Sequence, residues 1–196
     1  MERCEIGIGF DEGERSAVGA LYWAAFQRKL RPAFASTEVG ARIIAAALRP
    51  ERVLVARCEG AVAGVCGFLE EGAGAVDLSW SSLRSALSVG AAVRAAAVLL
   101  ILERGARRDA LVLDGLCVDE RWRGRGIGTA LLAAAQDRAR AGALRAVRLS
   151  VVDSNPRAAA LYERLGFRAV GGGVMGALGA VYGFDRYTVM ERGVAA

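Results

Sequence analysis

Residues 113–128 read Leu-Asp-Gly-Leu-Cys-Val-Asp-Glu-Arg-Trp-Arg-Gly-Arg-Gly-Ile-Gly, an apolar strand that runs into a polar loop and then into a helix. The first amides of a helix lack acceptors within it and lie at the positive end of its dipole, so they bind anions. Glycine lets a ligand approach the backbone and arginine adds mobile positive charge, so the stretch predicts a phosphate-binding loop. The loop contains Arg121, Arg123, Gly124, Arg125, Gly126 and Gly128.

Two common nucleotide motifs fit this loop poorly. A P-loop requires a Gly-Lys-Ser/Thr sequence, and the only lysine of the chain is Lys29. A dinucleotide fingerprint requires a third glycine at the sixth position, which is Thr129 when counted from Gly124. No acidic residue follows about 20 positions on, as that fingerprint also demands. The spacing that does fit is Arg-x-x-Gly-x-Gly, formed by Arg123, Gly126 and Gly128.

A second patterned segment lies downstream, at 147–167. It reads Val-Arg-Leu-Ser-Val-Val-Asp-Ser-Asn-Pro-Arg-Ala-Ala-Ala-Leu-Tyr-Glu-Arg-Leu-Gly-Phe. Asn155 suits a helix N-cap, Pro156 the first helical position and Gly166 the helix stop. The segment therefore predicts a strand over 147–152 and a helix over 156–165.

Together the two segments resemble the GNAT acyltransferases over residues of about 110–170. The loop is similar to the CoA pyrophosphate loop of that family, and the downstream segment to its strand, Asn, helix, Leu-Tyr-Glu and Gly-Phe pattern. The resemblance implies an α/β fold in a single domain of residues 1–196. It implies a mixed, largely antiparallel sheet of about seven strands flanked by helices, with a splayed central strand pair.

The resemblance also implies an N-acyltransferase that uses acetyl-CoA or another acyl-CoA and no metal. Its acceptor would be a primary amine on a small molecule or a peptide. The main chain of the strand would bind the pantetheine arm and polarise the thioester, the loop would hold the pyrophosphate, and Asn155 would order its helix near the cofactor. These cofactor residues are Leu116, Cys117, Val118, Arg123, Gly124, Arg125, Gly126, Ile127, Gly128, Thr129 and Asn155.

Tyr162 matches the family tyrosine that protonates the leaving thiolate, since a phenol keeps its proton at neutral pH. The glutamate that acts as the catalytic base in some members of the family has no counterpart here, because Ser150 occupies that position. Asp114, on the strand that borders the gap, is the substitute. Two alternatives stay open: a water chain, or an Asp114 that only bonds backbone at the splay.

The composition of the 196 residues excludes several chemistries. The absence of histidine rules out histidine bases and histidine metal sites. The net charge of +5 permits nucleic acid as a partner, but the arginines are dispersed and aromatic residues make up only 7%, so solubility and an anionic cofactor explain the charge better.

Cellular location is also predicted from the sequence. The start of the chain lacks the pattern of a signal peptide, and the apolar run at 86–102 contains Arg94 and is too short for a membrane span. The prediction is therefore a cytoplasmic protein with no membrane partner. Its four scattered cysteines are expected to be reduced, with Cys117 a small core residue. A homodimer is left open.

Hydrophobic periodicity and turn residues predict the order of the remaining elements. After a first strand and two helices come a hairpin, a long apolar helix and the cofactor segment. Two short strands around a glycine loop end the chain. The predicted ranges are 5–10, 14–30, 37–48, 52–58, 61–68, 81–104, 110–118, 127–141, 144–152, 156–165, 167–171 and 185–191.

Three functions compete at this point. An acyl-CoA-dependent N-acyltransferase leads, a catalytically silent CoA-binding sensor follows, and a basic nucleic-acid-binding module comes third.

Overall fold

The computed structural model describes residues 4–30, 33–34, 36–70, 72–102, 107, 109–176 and 179–194. Its strands are β1 (Cys4–Ile8), β2 (Val53–Cys58), β3 (Ala61–Leu69), β4 (Ala110–Val118), β5 (Ala146–Val152), β6 (Arg168–Val174) and β7 (Arg186–Gly193). Its α-helices are α1 (Arg15–Leu30), α2 (Thr37–Ala47), α3 (Trp80–Ala86), α4 (Val89–Leu102), α5 (Ile127–Ala141), α6 (Pro156–Arg164) and α7 (Gly179–Tyr182). The strands and the first, second, fifth and sixth helices lie close to the predicted ranges.

The strands form one 7-stranded sheet in the order β1-β2-β3-β4-β5-β7-β6. Neighbouring strands are antiparallel except for β4 and β5, which run parallel. This confirms the predicted mixed, largely antiparallel sheet flanked by helices.

The parallel pair opens along its length. β4 and β5 pair only where Ala110, Leu111 and Val112 lie opposite Ala146, Val147 and Arg148. Both strands are described throughout, and they share no further pairing toward their C-terminal ends. The predicted splay of the central strand pair is therefore confirmed, and it creates a gap between the second halves of β4 and β5.

Each face of the sheet carries its own apolar core. On one face, Leu131 and Leu132 of α5 and Tyr162 of α6 pack against the strands. On the other face, Tyr22 and Trp23 of α1 belong to a core that includes residues of α2, α3 and α4. The gap therefore opens toward the predicted cofactor helices, α5 and α6, on one face of the sheet and toward α1 on the other.

The predicted long helix over 81–104 is wrong, because the chain forms two helices there. α3 ends at Ala86, and its C-cap residue Leu87 is extended with φ of −131° and ψ of 155°. The carbonyl of Leu87 accepts a hydrogen bond from Arg84 Nη1 at 2.9 Å, and the carbonyl of Ser88 accepts from the amide of Ala92 in α4 at 2.9 Å. Local hydrogen bonds therefore satisfy the carbonyls of Leu87 and Ser88, the two residues between α3 and α4. Residues 103–104 lie outside the described residues.

The predicted glycine loop after residue 171 is partly wrong, because Gly171, Gly172 and Gly173 lie in β6. A Cβ at Gly172 would lie 2.4 Å from the carbonyl oxygen of Tyr187, and one at Gly173 would lie 2.8 Å from the Tyr187 hydroxyl. Glycine serves here to let two strands and a tyrosine ring approach each other closely.

The prediction of four reduced cysteines is also wrong. β1 pairs with β2 so that Cys4 faces Cys58 at a Cα separation of 4.3 Å, and the two sulfurs form a disulfide. The two residues are 54 positions apart, so only the strand register reveals the contact. Cys66 and Cys117 are free and buried. Burial raises the pKa of both thiols, which keeps them protonated and inert near neutral pH.

The start of α1 is fixed by a reciprocal cap and an ion pair. The amide of Glu14 donates to Asp11 Oδ1 at 2.9 Å, and the amide of Asp11 donates to Glu14 Oε2 at 3.2 Å. The Arg57 guanidinium of β2 donates to both carboxylate oxygens of Glu14 at 2.6 Å. This ion pair ties α1 to the sheet, and its hydrogen bond holds the pKa of Glu14 below the usual value.

We expect Glu14→Gln to lower the free energy of unfolding by about 1 kcal/mol at neutral pH, because the amide keeps the cap and loses only the ion pair. A depressed pKa in the folded state stabilises above the ordinary glutamate pKa and loses its effect as the pH falls through the folded value. The difference between parent and variant should therefore shrink below about pH 4.3 in denaturant titrations. Glu12→Gln, at an exposed pair with Arg15, is the control and should change nothing measurable. A difference that persists unchanged at pH 2 would contradict this assignment.

Candidate active site

The loop between β4 and α5 has the conformation that its glycines predict. Gly124 and Gly126 have φ of +80° and +83°, in the left-handed region that favours glycine. Gly126 is the N-cap of α5, and its carbonyl accepts from the amide of Ala130 at 3.0 Å. Helix geometry leaves the amides of residues 127–129 without an acceptor inside α5. A Cβ at position 124 or 126 would meet no atom within 4 Å, so a ligand can reach the backbone there.

The arginines of this loop brace it through contacts with neighbouring residues. Each contacts a neighbour within the loop, and Arg123 Nε also donates to the carbonyl of Val118 at 3.2 Å. These side chains remain largely exposed, with Arg121 at 79% and Arg123 at 54%, so their positive charge lies at the surface around the start of α5. The contacts are Arg121 with Asp119 at 2.9 Å, Arg123 with Glu120 at 2.9 Å, and the Arg125 guanidinium 4.9 Å from the centroid of the Trp122 ring.

Main-chain groups of β4 face the gap in an order that the register fixes. The amide of Asp119, the residue after β4, donates to the carbonyl of Ala63 in β3 at 2.9 Å. Hydrogen-bonded pairs alternate along an antiparallel ladder, so Cys117, opposite Val65, directs its amide to β3. The amides of Leu116 and Val118 then point away from β3 into the gap. Of the three predicted main-chain donors, only the amides of Leu116 and Val118 face the gap. The amide of Cys117, which lies between them, faces β3.

The opposite wall of the gap is the main chain of β5. The amide of Asp153 donates to the carbonyl of Arg186 at 3.0 Å, just beyond the paired ends of β5 and β7. By the same alternation, the main-chain groups of Ser150 and Val152 point away from β7 and into the gap. Two rows of peptide groups thus face each other across the gap.

α6 begins at the end of β5 that borders the gap. Asn155 caps this helix, and its side-chain oxygen accepts from the amide of Ala158 at 3.2 Å. Tyr162 is buried, and its ring centroid lies 5.9 Å from that of Phe167. A Cβ at Gly128 would lie 3.3 Å from Leu161, so α5 and α6 touch beside the phosphate loop. The structure therefore brings the two motifs of the sequence into contact.

Asp114 occupies a bulge in β4. Gly67 of β3 lies opposite Gly115, and Phe68 lies opposite Leu113, so β4 has one extra residue, Asp114, between these two register pairs. Its Oδ1 accepts from the hydroxyl of Tyr22 on α1 at 2.8 Å, and its Oδ2 accepts from the amide of Ala75 at 2.9 Å. The carboxylate is therefore held in place on the α1 side of the sheet, next to the start of the gap.

Small residues make room for this carboxylate and for the helix above it. A Cβ at Gly67 would lie 2.1 Å from Asp114 Oδ1, and one at Gly74 would lie 3.0 Å from Oδ2. At Gly115 a Cβ would lie 2.1 Å from the Phe26 ring of α1. The sequence analysis gave neither Tyr22 nor Phe26 of α1 a role at the site. The sequence indicates the space around Asp114 only through these three glycines, and their spacing along the chain does not match any motif.

A glycine loop at a helix start, beside a sheet that opens between two parallel strands, is the arrangement expected of a CoA-dependent acyltransferase. The chain belongs to the acetyltransferase (GNAT) family, whose family model matches residues 16–167. Acyl transfer is therefore its chemistry. Among curated proteins, no sequence matches this chain.

Solved structures share the fold across nearly the whole chain. An N-acetyltransferase from Staphylococcus aureus has a TM-score of 0.67 at 17% identity, covering 96% of this chain and 100% of that one. A ribosomal-protein alanine N-acetyltransferase from Escherichia coli has a TM-score of 0.59 at 18% identity, with coverage of 99% and 96%. An IAA acetyltransferase from Bacillus cereus has a TM-score of 0.60 at 15% identity, with coverage of 97% and 99%. At these identities the likeness shows the fold alone.

Within the described part of the chain, no helix combines the length and the apolar content that crossing a membrane requires.

Proposed function

We propose that this protein is an N-acetyltransferase that moves an acetyl group from acetyl-CoA to a primary amine on a small molecule or a peptide. The observation that carries the proposal is the gap between β4 and β5, which ends beside the unpaired amides of α5. The site fits this cofactor, because left-handed glycines clear the backbone at the loop and peptide groups face the gap beyond it.

Acetyl-CoA, when bound, supplies a thioester whose carbonyl carbon an amine can attack. The amides of residues 127–129 would bind the pyrophosphate, and the braced arginines would add charge around it. The amides of Leu116 and Val118 would hold the pantetheine arm and donate to the thioester oxygen. Such donors are already oriented, so they stabilise the charge that develops on this oxygen without reorganisation.

The proton transfers are assigned to Tyr162 and Asp114. As the amine nitrogen bonds to the carbonyl carbon and the carbon–sulfur bond breaks, the Tyr162 hydroxyl would give its proton to the sulfur. Asp114 would take the proton that the amine loses, directly or through one water. Asn155 would keep the first turn of α6 in place beneath Tyr162.

The test is a turnover screen with acetyl-CoA against polyamines, aminoglycosides, amino acids and peptide N-termini, with release of free thiol as the readout. Saturable acetyl-CoA binding together with turnover of at least one amine class supports the proposal. Saturable binding without turnover of any amine replaces it with a CoA-binding sensor. Absence of binding rejects both.

We expect Asp114→Asn to remove the acid limb of the pH profile of kcat/KM. The amide has nearly the same shape and can still pair with Tyr22 and Ala75, so the loss isolates the titrating group. Asp119→Asn is a matched control, because that carboxylate lies nearby but pairs with Arg121. An acid limb that stays at the same pH in Asp114→Asn would show that solvent deprotonates the amine.

The cytoplasmic location expected from the sequence stays a prediction. The feature of the structure that argues against this location is the Cys4–Cys58 disulfide, since structural disulfides are rare in reducing compartments.

A further inference from the structure

We propose that Tyr22 is a positioning residue that holds the Asp114 carboxyl in a single rotamer and in its ionised form, an inference that rests on the N-acetyltransferase function proposed above. The hydroxyl of Tyr22 on α1 reaches across 92 positions of chain to donate to Asp114 Oδ1 at 2.8 Å. Tyr22 is 5% exposed, so this hydrogen bond forms in a packed environment.

The surroundings of the pair make the geometry rigid. The amide of Ala75 donates to the second oxygen of Asp114 at 2.9 Å, so the plane of the carboxylate is fixed from two sides. Gly67 and Gly74 flank the carboxylate closely enough that a Cβ at either position would press on it. The Tyr22 ring is itself braced by Phe26, with the two ring centroids 4.8 Å apart. A side chain held in this way cannot exchange rotamers when the neighbouring gap fills or empties.

A donor to a carboxylate favours the charged form, because the ionised oxygen is the stronger acceptor. Asp114 sits in the β4 bulge, half-buried beside apolar strands, where burial alone favours the neutral acid. The Tyr22 hydroxyl and the Ala75 amide oppose that tendency. Each carboxylate oxygen has a second acceptor site, so a proton from an amine or a water can still be received.

Other titratable groups around Asp114 are accounted for on each element that packs against it. On β3, the Cys66 thiol is buried, and burial, with a smaller contribution from the charge of Asp114, raises its pKa. Behind the Gly74 and Ala75 backbone, Arg49 pairs with Asp77 at 3.1 Å and donates to the Gly74 carbonyl at 3.4 Å. The thiol stays neutral across the pH range in which a carboxyl titrates. A hydrogen bond from the Ser79 amide holds the pKa of Asp77 below its usual value. On α1, the neighbouring turns contribute Val18, Gly19, Ala25 and Phe26, which do not titrate.

The test compares the parent protein with Tyr22→Phe, which keeps the ring and removes only the hydroxyl. We expect the acid limb of kcat/KM to move to higher pH by about one unit, with the Kd for acetyl-CoA unchanged. In an Asp114→Asn background, where the limb is already lost, adding Tyr22→Phe should produce no shift. Tyr182→Phe is the control, because the hydroxyl of Tyr182 donates to the Val98 carbonyl of α4 at 3.1 Å. A limb at the same pH in Tyr22→Phe and parent overturns the proposal.

A second measurement keeps this inference testable when no amine is turned over. Asp labelled with carbon-13 at its carboxyl carbon reports the titration of Asp114 by NMR, with Asp114→Asn identifying the signal. A midpoint about one unit higher in Tyr22→Phe supports the role of Tyr22 even if the proposed acetyl transfer fails. An unchanged midpoint overturns it, whatever the enzyme turns over.

Discussion

Replacing Tyr162 with phenylalanine is expected to lower kcat by about 10²-fold while leaving the Kd for acetyl-CoA unchanged. The hydroxyl is needed when negative charge builds on the leaving sulfur, so its removal raises the barrier without loosening the bound cofactor. Phenylalanine preserves the packing of the ring against Phe167. Steady-state kinetics with a saturating amine gives kcat, and calorimetry gives Kd.

Tyr182→Phe is the matched control for this experiment, since it removes the hydroxyl of another buried tyrosine. That hydroxyl bonds the backbone of α4, so its loss should affect stability and leave kcat within about twofold of the parent. Equal rates for Tyr162→Phe and the parent would assign the proton on sulfur to water.

Gly126→Val is expected to weaken acetyl-CoA binding by about 2 to 3 kcal/mol, or about 30- to 150-fold in Kd. Gly126 has φ of +83°, which a β-branched residue adopts only under strain. The loop relieves that strain by leaving the conformation that presents the amides of residues 127–129, and binding must then restore it. Calorimetry with acetyl-CoA measures the change.

Gly60→Val separates strain from binding. Gly60 has φ of +76° in the turn between β2 and β3, and its missing Cβ would meet no atom within 4 Å, as at Gly126. The same local strain there should lower the melting temperature without changing the Kd. If Gly126→Val binds acetyl-CoA as tightly as Gly60→Val does, the loop is not the phosphate site.

The parts of this protein that sequence predicts well depend on neighbours in the chain. The turn at Gly126 and the cap at Asn155 are set by residues within one helical turn, so glycine spacing and capping residues reveal them. The topology follows from the resemblance that these local motifs establish. Asn155 was predicted to cap a helix that starts at Pro156, and the structure shows both the cap and the helix start.

The parts that sequence does not predict depend on register and on long-range packing. The Cys4–Cys58 disulfide requires knowing which residues of β1 and β2 face each other. The contact between Tyr22 and Asp114 requires both a bulge in β4 and the placement of α1 over it. The break at Leu87 is accompanied by local hydrogen bonds that are not apparent from an apolar run of residues. The disulfide, the Tyr22–Asp114 contact and the break at Leu87 do not produce a hydrophobic periodicity that could be recognised in the sequence.

The gap between β4 and β5 amounts to a vacant strand position inside a continuous sheet. Its two rims present peptide groups, from Leu116 and Val118 on one side and from Ser150 and Val152 on the other. The carbonyl of Val118 accepts from Arg123, and water must satisfy the remaining groups in the empty protein, because unpaired backbone polar atoms are costly. An extended chain that carries its own amides replaces this water at little cost, whereas a plain hydrocarbon would strip it and leave the rims unpaired. Selectivity for an amide-bearing carrier would therefore reside in the main chain, where substitutions other than proline leave the donors and acceptors in place.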